Sequence, residues 1–292
     1  VKGLNLTSYA KLNLYLEILG KRADNYHSIF TLFERINLSD RIRLKPLLQD
    51  RIRIVSSNPF IPKGRKNLAF QAASLLKKEF QIRDGVEINI SKYIPISAGL
   101  AGGSSNAATV LAGLNKLWRL NLRARQLVAL ARQIGSDVPF FLYNCSFAYA
   151  TQRGDKIKVL NLPVKLWHII VVPPVQISTP LIYKRWDELA GAAGLTKHKS
   201  RIKILKTALL KKDILSLGRF LFNSLERASQ ALYPVIKKAK SALYDLGLEA
   251  ILMSGSGPAV FGLVSSRKEA YTVARQLKVK MKDYGVFVAR TV

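Results

Sequence analysis

The chain has 292 residues, of which 49% are apolar and 22% charged, a globular composition long enough to suggest two domains. Lysine and arginine number 47 against 18 aspartates and glutamates, a formal charge of +29 that favours anionic partners such as nucleotides and phosphate esters. The single cysteine, Cys145, excludes an internal disulfide framework and fits a reducing, cytoplasmic setting, and no apolar run reaches the length of a membrane span.

The N-terminal stretch VKGLNLTSYAKLNLYLEIL alternates apolar and polar residues and keeps Lys11 and Glu17 inside, unlike the apolar segment of a signal peptide, and gives strand-like runs at 4–9 and 12–19. Further strands are expected at 29–38, 41–44, 51–55 and 86–90, with helices at 67–80, 104–118 and 124–134. A strand at 147–150 and a turn at 153–155 follow. Beyond Leu162 and Pro163 the rhythm changes. A short apolar strand at 168–172 runs into Pro173 and Pro174. Helices at 214–228 and 235–246 precede strands at 250–253 and 259–264, which flank the turn SGSGP. A helix at 268–284 and a strand at 286–290 close the chain. Strand, helices, two strands, helix, strand is a ferredoxin-like α+β pattern. A boundary near residue 160 divides the chain into domains at 1–160 and 161–292. The densest basic run, TKHKSRIKILKTALLKKD at 196–213, reads as a surface helix with Leu205, Leu209 and Leu210 as its apolar stripe; a helix binding RNA or lipid is the alternative.

Three motifs carry chemistry. PISAGLAGGSSNAA at 95–108 places glycines just before a run of helix formers. A bare helix N-terminus presents unpaired N–H groups and the positive end of a dipole, and glycines let an anion approach. The loop lacks the Gly-Lys-Ser/Thr ending of a Walker A motif, does not fit the dinucleotide fingerprint, and has no H-R-D or D-F-G partners. Ser104 and Ser105 could cap the helix or donate hydroxyls to a phosphate. Taken alone, the loop fits a phosphate cradle and a plain glycine-rich turn equally well. In SYAKLNLYL at 8–16, if Ala10, Leu12, Leu14 and Leu16 face the core, then Lys11, Asn13, Tyr15 and Glu17 share the other face. A lysine beside a core strand calls for an anion or a carboxylate, unless that face is wet. In GSDVPFF at 135–141, Asp137 is either an N-cap or a carboxylate at the edge of an apolar site, where it could take a proton.

Together these motifs resemble the GHMP kinase superfamily, which phosphorylates small-molecule alcohols with ATP. P-x-x-x-G-L-A-G-G-S-S looks like its phosphate-binding motif, and SGSGPAVFG at 254–262 like its C-terminal glycine motif. The resemblance implies a two-domain α+β fold, with a ribosomal-protein-S5-like N-terminal domain that binds ATP and a ferredoxin-like C-terminal domain. GKRADNYHSIFTLFERINLSDRI at 20–42, with AKLNLYL, AGLAGGSSNAA and GSDVPFF, narrows it to the branch whose acceptor is a cytidine-diphosphate-linked sugar alcohol of the non-mevalonate isoprenoid pathway. That branch phosphorylates the acceptor's 2-hydroxyl.

The resemblance also implies roles. Asp137 matches the catalytic aspartate, against the substrate, and Lys11 its partner. Tyr26 and Tyr183 match the aromatics that sandwich cytosine, and His27 the residue that reads its edge. Asn13 and Thr179 match polar substrate contacts, and Phe33 lines the substrate pocket. Pro95 and the run Gly99, Leu100, Ala101, Gly102, Gly103, Ser104 and Ser105 match the cradle for the ATP phosphates. Asn67, Leu68 and Lys92 fall where the nucleoside is held, and Gly255, Ser256 and Gly257 match the glycine motif beside the site. Asn25 stands where many members have glycine; asparagine tolerates left-handed backbone, so the turn is expected to survive. Mg2+ is expected with ATP, its ligands unassigned beyond Ser104 or Ser105 acting through water. Three scattered histidines and one cysteine make a zinc site unexpected. The expected partners are ATP and the cytidine diphosphate substrate, with no specific nucleic acid and no membrane, in a monomer or homodimer. Two rivals are a kinase for another small alcohol and an RNA-associated protein, which predicts salt-sensitive RNA binding without turnover.

Overall fold

The computed structural model describes residues 3–190 and 198–292, so Thr196 and Lys197 of the basic run lie outside the described residues. Two long antiparallel strands organise the N-terminal half: β1 (Leu4–Lys21) and β2 (His27–Leu47). Each was expected as two shorter strands. Register shifts at Tyr9/Ala10, Asn13/Tyr15 and Ile18/Gly20 absorb the breaks in the alternation, so the ladder runs on. The middle shift corrects the expected facing. Asn13 pairs with Phe33 and Tyr15 with Leu32, which leaves Leu14 as the extra residue of a bulge. Beyond it the two faces exchange. Lys11, Asn13 and Leu16 line a pocket, while Tyr15 joins Ala10, Leu12 and Leu14 in the core. Glu17 is buried and accepts a hydrogen bond of 2.9 Å from the Tyr15 hydroxyl.

The sheet is extended by β3 (Ile52–Val55), and α1 (Leu68–Glu79) leads to β4 (Gly85–Ser91). Then come α2 (Gly102–Leu117), α3 (Ala124–Ile134), a 3-10 turn at Pro139–Leu142, β5 (Phe147–Thr151) and β6 (Lys156–Leu160). α1 buries an alanine-rich face, Ala69, Ala72, Ala73 and Leu76, in one core with Ile42, Leu44, Val86 and Ile88 of the sheet. Gly113 lets α2 lie close, since a Cβ there would meet Leu44 and Leu6 at 2.6 Å.

The remaining elements are β7 (Trp167–Val172), α4 (Thr179–Ala190), α5 (His198–Lys211), α6 (Ile214–Phe220), β8 (Phe222–Asn223), α7 (Glu226–Leu232), α8 (Pro234–Tyr244), β9 (Ile251–Met253), β10 (Val260–Val264), α9 (Arg267–Lys280) and β11 (Gly285–Arg290). Four of the strands form an antiparallel sheet in the order β11-β7-β10-β9. With α8 and α9 this is the β-α-β-β-α-β arrangement expected. The first sheet has seven strands, in the order β3-β4-β2-β1-β8, with β5 on β2 and β6 on β5. One apolar core joins the sheets, with Leu12, Leu14 and Phe147 packed among Ile170, Leu252 and Phe261.

The expected helix at 214–228 is broken. Phe222 and Asn223 pair with Tyr15 and Leu16 of β1, and the Asn223 amide donates to the carbonyls of Met253 and Gly255, both at 2.8 Å. β6, α4 and the 3-10 turn were not anticipated. In the basic run, α5 buries Ile202, Leu205, Ala208 and Leu209, while Leu210 is half exposed and leaves the stripe. Among the described residues no helix is long and apolar enough to cross a membrane.

Candidate active site

A pocket of about 930 Å3 extends from the loop before α2 to the β1–β2 turn and α4. At the loop end, Ala101 caps α2 in the left-handed region (φ 53°, ψ 31°) with no side-chain hydrogen bond. The Ser105 N–H closes the first helical turn onto the Ala101 carbonyl at 2.9 Å. The amides of Gly102, Gly103 and Ser104 therefore have no partner within the helix, and these three residues line the pocket. Gly99 has φ +73°, and a Cβ there would lie 2.1 Å from the Ser254 carbonyl oxygen. Two expected cradle residues turn away. Leu100 is buried in the core, and the buried Ser105 hydroxyl accepts from Ser8 at 2.7 Å, because α2 packs that side of its first turn on β1. Ser104 keeps the pocket-facing place.

Lys11 projects from β1 beneath this loop. Its ammonium lies 3.1 Å from the Gly99 carbonyl, 2.5 Å from Asn13 Oδ1 and 3.7 Å from Asp137 Oδ2. Two fixed acceptors, Asn13 Oδ1 and the Gly99 carbonyl, thus take hydrogen bonds from the ammonium, and Asp137 stands beside it as an ion-pair partner. Phe33 covers it from 5.3 Å. Burial lowers the Lys11 pKa, and Asp137 opposes that shift. Asp137 follows α3 just before the 3-10 turn. Its side chain is 34% exposed against 4% for Lys11, so the carboxylate is the accessible partner. Asn13 is held by donation from its amide to Thr31 at 2.8 Å. Its backbone N–H donates to Ser254 Oγ, which itself donates to the Gly99 carbonyl at 3.0 Å. Gly255 and Gly257, at φ +58° and +81°, shape the turn between β9 and β10. Ser256 meets the Thr179 hydroxyl at 2.8 Å.

A second lysine–aspartate pair underlies the same loop and went unseen in the sequence. Lys92 donates to Asp40 Oδ2 at 2.7 Å, and both side chains are buried. Asp40 also accepts from the N–H groups of Tyr93 and Ile94 and from Asn106. Lys92 lines the pocket, but its charge is committed to Asp40. Asn67, which also lines the pocket, is the N-cap of α1: its oxygen accepts from Ala69 and its amide donates to Pro62. Leu68 and Pro95 line the pocket beside these residues.

At the far end, the β1–β2 turn closes with the Arg22 N–H on the Tyr26 carbonyl at 2.8 Å, and Asn25 takes φ 62°, the left-handed backbone that glycine would adopt. Tyr26 is 56% exposed, with the Arg153 guanidinium over its ring at 5.2 Å. His27 is buried and stacks on Tyr183 at 4.9 Å, with Trp186 edge-on at 5.6 Å. Burial pushes the Tyr183 phenol well above its ordinary pKa. Asp187, also missed in the sequence, holds His27 Nε2 at 2.7 Å and Lys21 at 2.9 Å. α4 delivers Thr179, Tyr183 and Asp187 one helical turn apart, a spacing legible in TPLIYKRWD once a helix is placed there.

Residues 67–145 match the family described as GHMP kinases N terminal domain, and residues 205–283 match GHMP kinases C terminal. These matches and the paired sheets make the chain a GHMP kinase, a phosphotransferase with ATP as co-substrate. Relatives are more particular. A 4-diphosphocytidyl-2-C-methyl-D-erythritol kinase of Geobacillus thermodenitrificans is 42% identical over 264 residues, covering 89% of this chain and 88% of that protein. The Bacillus pumilus enzyme of the same name is 41% identical over 269 residues, 92% of this chain and 91% of its own. A crystal structure of 4-(cytidine 5'-diphospho)-2C-methyl-D-erythritol kinase superposes with a TM-score of 0.81 at 33% identity, covering 98% of each chain. The chain belongs to the 4-diphosphocytidyl-2-C-methyl-D-erythritol kinase family. A homoserine kinase from Cytophaga hutchinsonii, at 20% identity and a TM-score of 0.76, shares the fold.

Proposed function

We propose that this kinase transfers the γ-phosphoryl group of ATP to the 2-hydroxyl of 4-diphosphocytidyl-2-C-methyl-D-erythritol, a step in isoprenoid precursor synthesis. The observation that carries the reading is the accessible Asp137 carboxylate, 3.7 Å from a fully buried lysine, in one pocket with an uncapped helix N-terminus. The open amides of α2 and the positive end of its dipole suit the ATP phosphates. Asp137 accepts the proton of the 2-hydroxyl as its oxygen attacks the γ-phosphorus. The bond to the β-phosphate oxygen breaks, ADP leaves, and the proton passes to solvent. Lys11 orients Asp137 and offsets charge that develops on the transferred group. Asn13 and Gly99 hold the ammonium in place.

Mg2+ would neutralise charge on the ATP phosphates. Among the described residues no group of three or more His, Cys, Asp or Glu could hold a metal ion. When bound, the ion would sit against the ATP phosphates, and Ser104, which lines the pocket, would reach it through water, since Ser105 is committed to Ser8. At the other end, Tyr26, His27 and Tyr183 line the pocket where the cytosine would bind, each tyrosine with one ring face already covered, by Arg153 and by His27, while Asn13, Phe33 and Thr179 line the path between. The same reading assigns residues 1–160 to the ATP-binding domain and 161–292 to the C-terminal domain. The test is a coupled ADP-release assay with ATP, Mg2+ and the cytidine substrate. Wild type should turn over, and Asp137→Asn should slow turnover about 10²–10⁴-fold while still binding substrate. Near wild-type turnover in the variant would remove Asp137 from the mechanism.

A further inference from the structure

We infer that Asp187, braced by Lys21, fixes His27 in the tautomer with its proton on Nε2 and thereby makes the pocket select cytosine over uracil; this rests on the functional reading above. Asp187 does not touch the reacting atoms, so its role is to position. His27 Nε2 lies 2.7 Å from Asp187 Oδ1. An ionised carboxylate only accepts, so Nε2 must carry the proton. Partial burial pushes the Asp187 pKa up, but the hydrogen bonds from Lys21 and His27 outweigh it and lower the pKa. Lys21 occupies the other oxygen at 2.9 Å and balances the charge, so a neutral imidazole leaves the trio electroneutral.

The ring cannot swing to exchange its nitrogens. Tyr183 lies nearly parallel to it, at an interplanar angle of 24°, and Trp186 meets it edge-on at 85°. With the proton on Nε2, Nδ1 presents a lone pair. Cytosine offers its exocyclic amine to such an acceptor. Uracil offers a carbonyl oxygen at the same position, so two acceptors would face each other. A well-placed polar contact of this kind discriminates by roughly 10-fold to 100-fold.

The test pairs two readouts on wild type, Asp187→Ala and Asp187→Asn. One is calorimetric binding of cytidine diphosphate and uridine diphosphate. The other is long-range ¹H–¹⁵N NMR of the His27 ring without ligand. Wild type should bind the cytidine nucleotide at least about 10-fold more tightly and show the Nε2–H tautomer. Asp187→Ala should bring the two affinities to near equality and mix the tautomers. Asp187→Asn offers one acceptor oxygen to two donors, Lys21 and Nε2–H, so its preference should fall between those of wild type and Asp187→Ala; a merely structural carboxylate would give no such ordering. An unchanged nucleotide ratio in Asp187→Ala, or an Nδ1–H tautomer in wild type, overturns the inference. A wild type that binds neither nucleotide overturns the functional reading and base selection together, while the NMR spectrum still judges the tautomer separately.

Discussion

Lys11–Asp137 and Lys92–Asp40 are the same chemical pair built to opposite ends. Lys92 and Asp40 meet at 2.7 Å, both buried, with the carboxylate also accepting from two backbone amides and Asn106. No carboxylate lone pair of Asp40 is left over for a substrate. Lys11 and Asp137 stand 3.7 Å apart, and the carboxylate is a third exposed. The lysine is held by two fixed acceptors, Asn13 and the Gly99 carbonyl, whereas the aspartate is exposed to the pocket. Spare valence on an accessible partner, rather than the presence of an ion pair, separates a chemical site from a girder.

The comparison breaks most decisively with the two aspartates. Asp137→Asn is expected to cost about 10²–10⁴ in turnover and to destabilise the fold less than loss of Asp40, because Asn13 and the Gly99 carbonyl still hold the Lys11 ammonium. Asp40→Ala should do the reverse in kind, destabilising the fold by about 3–5 kcal/mol in urea titration, because Lys92 is left as an unpaired buried charge. An Asp40 variant of undiminished stability that had lost turnover would erase the distinction. A smaller effect is expected at the opposite end of the pocket. Tyr26→Ala should raise KM for the cytidine substrate by the worth of one stacked base, about 1–3 kcal/mol, with little change for ATP. Equal shifts for both substrates would unseat Tyr26 as a base platform. The last effect is on pH. Burial lowers the Lys11 pKa from an ordinary 10.5, so its ammonium is lost earlier as pH rises. The alkaline limb of kcat/KM should therefore fall below 10.5. Activity sustained to that pH would show that the Lys11 charge is not needed.

Local signals in the sequence carried far. The glycines before α2 foretold an open helix end, and Asn25 adopts the left-handed turn expected of it. The second sheet follows the strand-and-helix order read from the chain. What stayed illegible is set by partners distant along the chain. The bulge at Leu14 is a property of two strands in register, so the alternation in SYAKLNLYL misplaced Tyr15 and Leu16. Asp40 and Asp187 are unremarkable until Lys92 and His27 meet them across 52 and 160 positions. The helix expected over 214–228 gives way to β8 because β1 offers an edge and Asn223 finds the carbonyls of residues 253 and 255. Ser105 had the right chemistry for a phosphate, but its hydroxyl meets Ser8 instead.

Gly99 has a consequence for how this enzyme can change. Its α-carbon is pressed against the Ser254 carbonyl, and its own carbonyl accepts from both Lys11 and Ser254. The loop at Gly99 is thus a seam: its main chain bonds to both sheets, Leu100 to Lys11 and Ala98 to Ala259, with no room at Gly99 for even a methyl group. The far end is upholstery: side chains on a turn and one helix, Tyr26, His27, Tyr183 and Asp187, line the pocket there. A lineage exploring new acceptors would re-cover the turn at 22–26 and the inner face of α4 while the stitching at Gly99 stayed as it is. Homoserine kinase shares the fold at 20% identity, so the frame accommodates wide sequence change.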